Sequence, residues 1–153
     1  MAQMQQGLAA WHATGAAVFR PYGLALLAEA YAQAGRCEEG LTLLAEALAL
    51  TNDREERRWE AELYRLKGEI LLVHSAAHHA EAETCFRHAL GVARHQQAKS
   101  WELRAAMSLA HLWQQQGKHA AARQLLAEVY GWFTEGFDTA DLQEAKALLE
   151  ELA

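Results

Sequence analysis

The sequence is poor in the residues that build sheets and interrupt helices. It has one proline, and Val, Ile and Thr together number 11 of 153 residues. Strands favour β-branched residues, whereas helices favour Ala and Leu. Ala and Leu supply 56 residues here. A sandwich, a barrel and a doubly wound α/β fold are excluded, and an all-α protein remains. Basic charge is also short: the net charge is -6, with a sequence pI of about 5.7. The densest basic cluster, Arg54, Arg57 and Arg58, is interleaved with Glu55, Glu56 and Glu60. A nucleic-acid partner needs a surface that neutralises phosphates, so none is expected. No apolar run approaches the 18 residues of a membrane span. Met1 to Gln6 is polar and uncharged, without a signal-peptide pattern. Cys37 and Cys85 stand 48 positions apart with no CxxC, which points to a reducing, cytoplasmic setting.

What the sequence does contain is an internal repeat. One stretch runs Leu24, Leu27, Ala28, Tyr31, Gly35, Gly40, Leu44, Ala47. Another runs Ala106, Leu109, Ala110, Trp113, Gly117, Ala122, Leu126, Val129, with identical offsets. Between them lie Tyr64, Lys67, Gly68, Leu71, then Ala82, Phe86 and Ala89, with two extra residues in the turn near His78 and His79. The period is 40 residues from Ala28 to Gly68 and 42 from Gly68 to Ala110. Nine residues before each of these small residues stands an aromatic: Phe19, Trp59, Trp101.

Large apolar residues three and four apart form one buried helical face. The small residue marks a close helix crossing, and Gly35 and Gly117 mark left-handed helix ends. Each unit is then a helical hairpin that completes its core only by stacking on the next. The units span about 16–50, 54–97 and 100–133. Helices are expected near 3–13, 16–34, 37–50, 54–74, 78–97, 100–116, 119–133 and 139–152. The first is a leftover second helix carrying Gly7, Leu8 and Trp11. Pro21 kinks the second helix or moves its start. Asn52-Asp53, with Glu56 following, reads as an N-cap signal. The last helix caps the array through Leu142, Ala145, Leu149 and Leu152, with Asp138 or Thr139 at its start.

Chemical motifs are sparse. Gly117-Lys118 is followed by His119 and lacks the spacing of a phosphate-binding loop. GxSxG and HExxH are absent. His74 and His78 are four apart, a spacing that can hold a metal on a helix, but Ser75-Ala76-Ala77 reads as a turn between them. Trp59, Trp101 and Trp113 are expected to pack between hairpins, with Trp11 or Trp132 exposed at an end. No cofactor is expected.

The repeated pattern resembles the tetratricopeptide repeat over roughly residues 20–130. The fold this implies is a right-handed α-solenoid of antiparallel helical hairpins with a C-terminal capping helix. The longer period, with Tyr22–Tyr31 and Gly131–Asp138, resembles the C-terminal helical regions of large bacterial signalling proteins, which join a cyclase or DNA-binding domain to a regulatory ATPase. The resemblance implies a non-enzymatic interaction scaffold whose concave groove is lined by the first helix of each hairpin. Mapping the family's inner positions gives Tyr22, Ala25, Leu26, Glu29 and Ala32, then Glu62, Arg65, Leu66, Glu69 and Leu72, then Arg104, Met107, Ser108, His111 and Gln114. Apolar members, Leu66 and Leu72 above all, could instead belong to the core. Glu29, Glu69 and His111 occupy the ninth positions, so the family's Lys/Asn carboxylate clamp is absent and a basic or amphipathic segment is expected. The competing reading is a metal-dependent protein or enzyme using the histidines with Glu29, Glu62 and Glu69. Leu8, Trp11 and Val18 lack a covering unit. Either the chain forms a homo-oligomer through its N-terminal end, or it belongs to a longer protein that covers that end.

Overall fold

A computed structural model describes residues 2–14, 19–51 and 57–153. Among them are eight α-helices and no strand. They are α1 (Ala2–Ala13), α2 (Arg20–Gln33), α3 (Cys37–Leu50), α4 (Glu60–His74), α5 (His79–His95), α6 (Lys99–Gln115), α7 (His119–Tyr130) and α8 (Ala140–Glu151). Short 3-10 turns at Arg57–Trp59 and Ala76–His78 precede α4 and α5. Pro21 sits in the first turn of α2, where its missing N–H costs no hydrogen bond, so it starts the helix and does not kink it. The Asn52-Asp53 signal and Val18 lie outside the described residues. α7 ends at Tyr130, three residues before the expected boundary.

The sequence repeat is a packing repeat. α2 packs on α3, α4 on α5 and α6 on α7, and each second helix also touches the first helix of the next hairpin. The first helices α2, α4, α6 and α8 contact one another in succession. Ala28, Ala110, Leu44, Phe86 and Leu126 are fully buried, as are Ala82, Ala122, Ala47 and Ala89. Gly68 has no room for a side chain: a Cβ there would lie 2.5 Å from the Phe86 ring. Where the middle unit has Lys67 in place of an apolar residue, Leu66 is buried and Lys67 reaches Glu81 at 3.8 Å.

Three turns close on one geometry. After α2, α5 and α6 the residues Gly35, Gln97 and Gly117 adopt φ of 77°, 55° and 76°. The next N–H in each case donates back to a carbonyl five residues earlier: Arg36 to Tyr31, Ala98 to Ala93, Lys118 to Trp113. This is the Schellman ending, which satisfies the last helical carbonyls. The middle hairpin ends differently: Ser75 is extended, and its hydroxyl accepts from the Ala77 N–H. That accommodates the two extra residues.

Aromatics join the hairpins along one edge. Trp59 stacks on Tyr22 at 4.7 Å and contacts Phe19 at 6.3 Å and Trp101 at 6.2 Å. The Arg58 guanidinium lies 5.3 Å from the ring centres of Phe19 and Trp59. Trp11 and Trp132 are both exposed. At the far end Leu142, Ala145, Leu148 and Leu152 are buried. Leu148, three residues after Ala145, is the deeper member of that stripe, and Leu149, four after it, packs partly buried against the same cluster. Thr139 occupies the N-cap of α8, but its side chain makes no capping bond; Asp141 supplies negative charge in the first turn.

Candidate functional site

The row α2, α4, α6 and α8 presents a charged face built around Arg65. The Arg65 side chain is 11% exposed, and its guanidinium donates two hydrogen bonds of 2.8 Å to Glu62. It also reaches Glu69 and the Ser108 hydroxyl at 3.4 Å. Ser108 donates to the same Glu69 oxygen at 2.6 Å. Glu62 receives Arg104 at 2.8 Å, and Arg104 reaches Asp141 of α8 at 3.8 Å. His111 lies 3.8 Å from Glu144. Burial works against the Arg65 cation, but its hydrogen bonds to Glu62 and the fields of Glu62, Glu69 and Glu29 outweigh it and raise its pKa. Four carboxylates on this face (Glu29, Glu62, Glu69, Asp141) thus act on two guanidinium groups, and a fifth, Glu144, lies against His111.

The residues mapped to the inner positions divide by depth. Glu29 is exposed on α2, Glu69 and His111 are partly open, and Arg104 is half-buried. Gln114 lies 3.4 Å from Glu151. Glu62 is buried, with both oxygens engaged, so it shapes the face from beneath. Met107 is a correction: it is 5% exposed and belongs to the core, one turn before Ala110. Ala25, Ala32 and Leu66 are core residues too, and Ser108 is buried as a hydrogen-bond partner. First helices here are flanked on both sides, so their buried stripe is wider than the surface positions of an isolated hairpin suggest. Sequence reasoning missed Asp141 and Glu144. The Leu142, Ala145, Leu148 spacing was the available signal, since it repeats the first-helix pattern and extends the row to α8.

Tyr22 and Leu26, N-terminal to Glu29 on α2, line an open, mainly apolar cleft of about 480 Å³ with Met4, Leu8, Trp11, Phe19 and Arg20. Leu8 fits against Gly23, and Gln5 hydrogen-bonds the Tyr31 hydroxyl.

Glu83 and Glu102 form ion pairs outside this network. Burial tends to raise the pKa of Glu83 and Glu102, but hydrogen bonds from Arg87 and Trp113, and from Lys99 and Arg94, hold both below the usual carboxylate range. The His74 and His78 rings stack at 5.4 Å across the Ser75 turn. Among the described residues, no three His, Cys, Asp or Glu side chains form a group that could hold a metal ion. No helix among them is long and apolar enough to cross a membrane. No family model matches the sequence, and no curated protein matches it.

Proposed function

We propose that this chain is a tetratricopeptide-type interaction module that holds a basic or amphipathic segment of a partner protein. The segment lies on the face of α2, α4, α6 and α8. One observation carries this reading: the face gathers four carboxylates around two buried or half-buried arginines and a fifth against His111, leaving an excess of negative charge. Arg65 and Arg104 are committed to Glu62, whereas Glu29 is exposed and Glu69 partly open. The identical offsets in the first and third hairpins, with the middle one lengthened by two residues in its turn, support a stacked solenoid whose first helices line the inner side. In the larger proteins that the sequence resembles, such a module serves as a regulatory arm in the cytoplasm, and free buried thiols at Cys37 and Cys85 fit that compartment.

The test is capture of partner proteins from a lysate by the immobilised chain, repeated with Glu29 and Glu69 reversed to Lys. Retained proteins should carry Lys/Arg-rich segments and should be lost on the reversed variant, with helicity unchanged. Capture indifferent to both reversals would refute the proposed face.

A further inference from the structure

The apolar cleft at the N-terminal end and the acidic face share α2. Tyr22, Leu26 and Glu29 are spaced i, i+4 and i+7, so they lie on one stripe of that helix. Tyr22 and Leu26 line the cleft, and Glu29 is close enough for its charge to act on Arg65. Among the described residues, the apolar hollow, whose rim also carries Arg20 paired with Glu46, therefore ends one helical turn from Glu29 along α2. Trp11 and Leu26 are 46% and 39% exposed there, large apolar groups left open to water at the edge of a charged surface.

We propose that cleft and track form one docking site for a partner segment in which a large apolar residue is followed at short spacing by Lys or Arg. This rests on the interaction reading above and names the chemistry of its ligand. The spacing follows from geometry. Leu26 and Tyr22 precede Glu29 by about 4.5 and 10.5 Å of helical rise. An extended segment advances about 3.3 Å per residue, so an anchor seated between them places its next cation about two to three residues on. A second copy of this chain is a poor occupant. Its exposed Phe137 is accompanied by Glu135 and Asp138, the wrong sign for an acidic track, and the one cation over its exposed Trp132, Lys99, is already bonded to Glu102. The chain as a whole carries -6, so copies repel.

The intact chain is titrated with fluorescein-labelled dodecapeptides on a Gly/Ser background. The panel varies the anchor (Leu, Phe, Trp) and the spacing to a Lys-Arg pair from one to five residues. Anisotropy reports affinity, and the Trp11 indole N–H resonance reports filling of the cleft. The tightest binding is expected at spacings of two to three. Replacing the anchor by Ser should weaken it about 10- to 100-fold, as befits burial of one large apolar side chain. Leu26→Asp and, separately, Tyr22→Ala should reproduce that loss with helicity unchanged. Glu29→Gln with Glu69→Gln should weaken binding severalfold and flatten its salt dependence. Basic peptides that bind equally with or without the anchor, while remaining sensitive to Glu29 and Glu69, would overturn the joint site but leave the acidic-face reading standing. An optimum at another spacing, or no binding by any peptide, would overturn the joint site as well. So would concentration-dependent self-association in light scattering that Leu26→Asp abolishes, since the occupant would then be a second copy.

Discussion

Replacing Gly68 by alanine would place one methyl group against a ring that has nowhere to move. A Cβ at Gly68 would stand 2.5, 2.8 and 2.9 Å from three carbons of Phe86. Phe86 is fully buried among Leu71, Ala82, Cys85, Leu109 and Leu112, so α4 and α5 must separate or the ring must leave its rotamer. Overpacking of this kind costs about 1–3 kcal/mol. Against it stands the gain of removing glycine from a helix interior, about 0.5–1 kcal/mol. With three ring atoms inside 3 Å the cost belongs near the top of its range, and the net loss is about 1–2 kcal/mol. Gly91 is the internal control: it lies within α5, and a Cβ there meets nothing within 4 Å. Gly91→Ala should stabilise by about 0.5–1 kcal/mol, so the two variants should differ by about 2–3 kcal/mol. Urea denaturation followed by circular dichroism measures both midpoints. Phe86→Leu should recover part of the Gly68→Ala loss, as coupling between contacting residues requires. If Gly68→Ala matches Gly91→Ala, the close crossing of α4 on α5 is wrong.

Gln97 holds the left-handed position that glycine holds in the two sister turns, so Gln97→Gly should raise stability by about 1 kcal/mol, whereas Gly117→Ala should lower it by about as much; thermal melts compare them. Glu102 has a pKa held low by Lys99 and Arg94 against the opposing effect of burial, so its contribution is present above the unfolded carboxylate value and lost as pH falls through the lower folded value. Glu102→Gln should therefore flatten the acid limb of a stability-versus-pH curve, and an unchanged slope would contradict the pairing. Cys85 is buried and its thiol pKa is pushed up, chiefly by desolvation, so it should react with a disulfide reagent at neutral pH only as fast as the protein opens. Stopped-flow labelling with and without urea checks that rate.

The all-α class and most helix bounds were legible because they depend on spacing. Offsets of three, four and seven between large and small residues define a buried helical stripe in any hairpin, and Ala28, Gly68 and Ala110 are buried at those places. The mark nine residues earlier was equally readable: Phe19, Trp59 and Trp101 meet along one edge. Other features depend on depth and direction, which spacing does not encode. Met107 falls on a position mapped to the groove, but α4, α5, α7 and α8 all pack on α6, and Met107 is buried in the cluster shared by α5 to α8. Position numbers put Arg65 and Glu62 on the face without indicating that they bind each other beneath it. Gln97 hid a glycine-like turn because its side chain gives no sign of positive φ. The apolar cleft was legible only as uncovered Leu8 and Trp11; that Tyr22 and Leu26 line it with them needed the packing of α1 on α2.

The charge on the first-helix face is not accounted for by stability alone. Buried ion pairs seldom stabilise a fold more than well-packed apolar groups of similar volume, because desolvation offsets the attraction. Glu62 and Arg65 are 7% and 11% exposed, and their neighbours include Leu63, Leu66 and other residues that would pack readily against an apolar pair. What the ion pairs do achieve is a fixed arrangement. Arg65 and Arg104 grip Glu62 from two helices, and Ser108 and Arg65 both hold Glu69 through a single oxygen, Oε1. The second Glu69 oxygen is thereby aimed by groups on α4 and α6, its carboxylate already oriented before any partner arrives. A cation that approaches it loses less ordering entropy than it would on a free side chain, which is how preorganised groups gain affinity. The same buried network therefore fixes one carboxylate of the proposed face, Glu69, and if that face takes a partner's lysine it would meet this group already held in place.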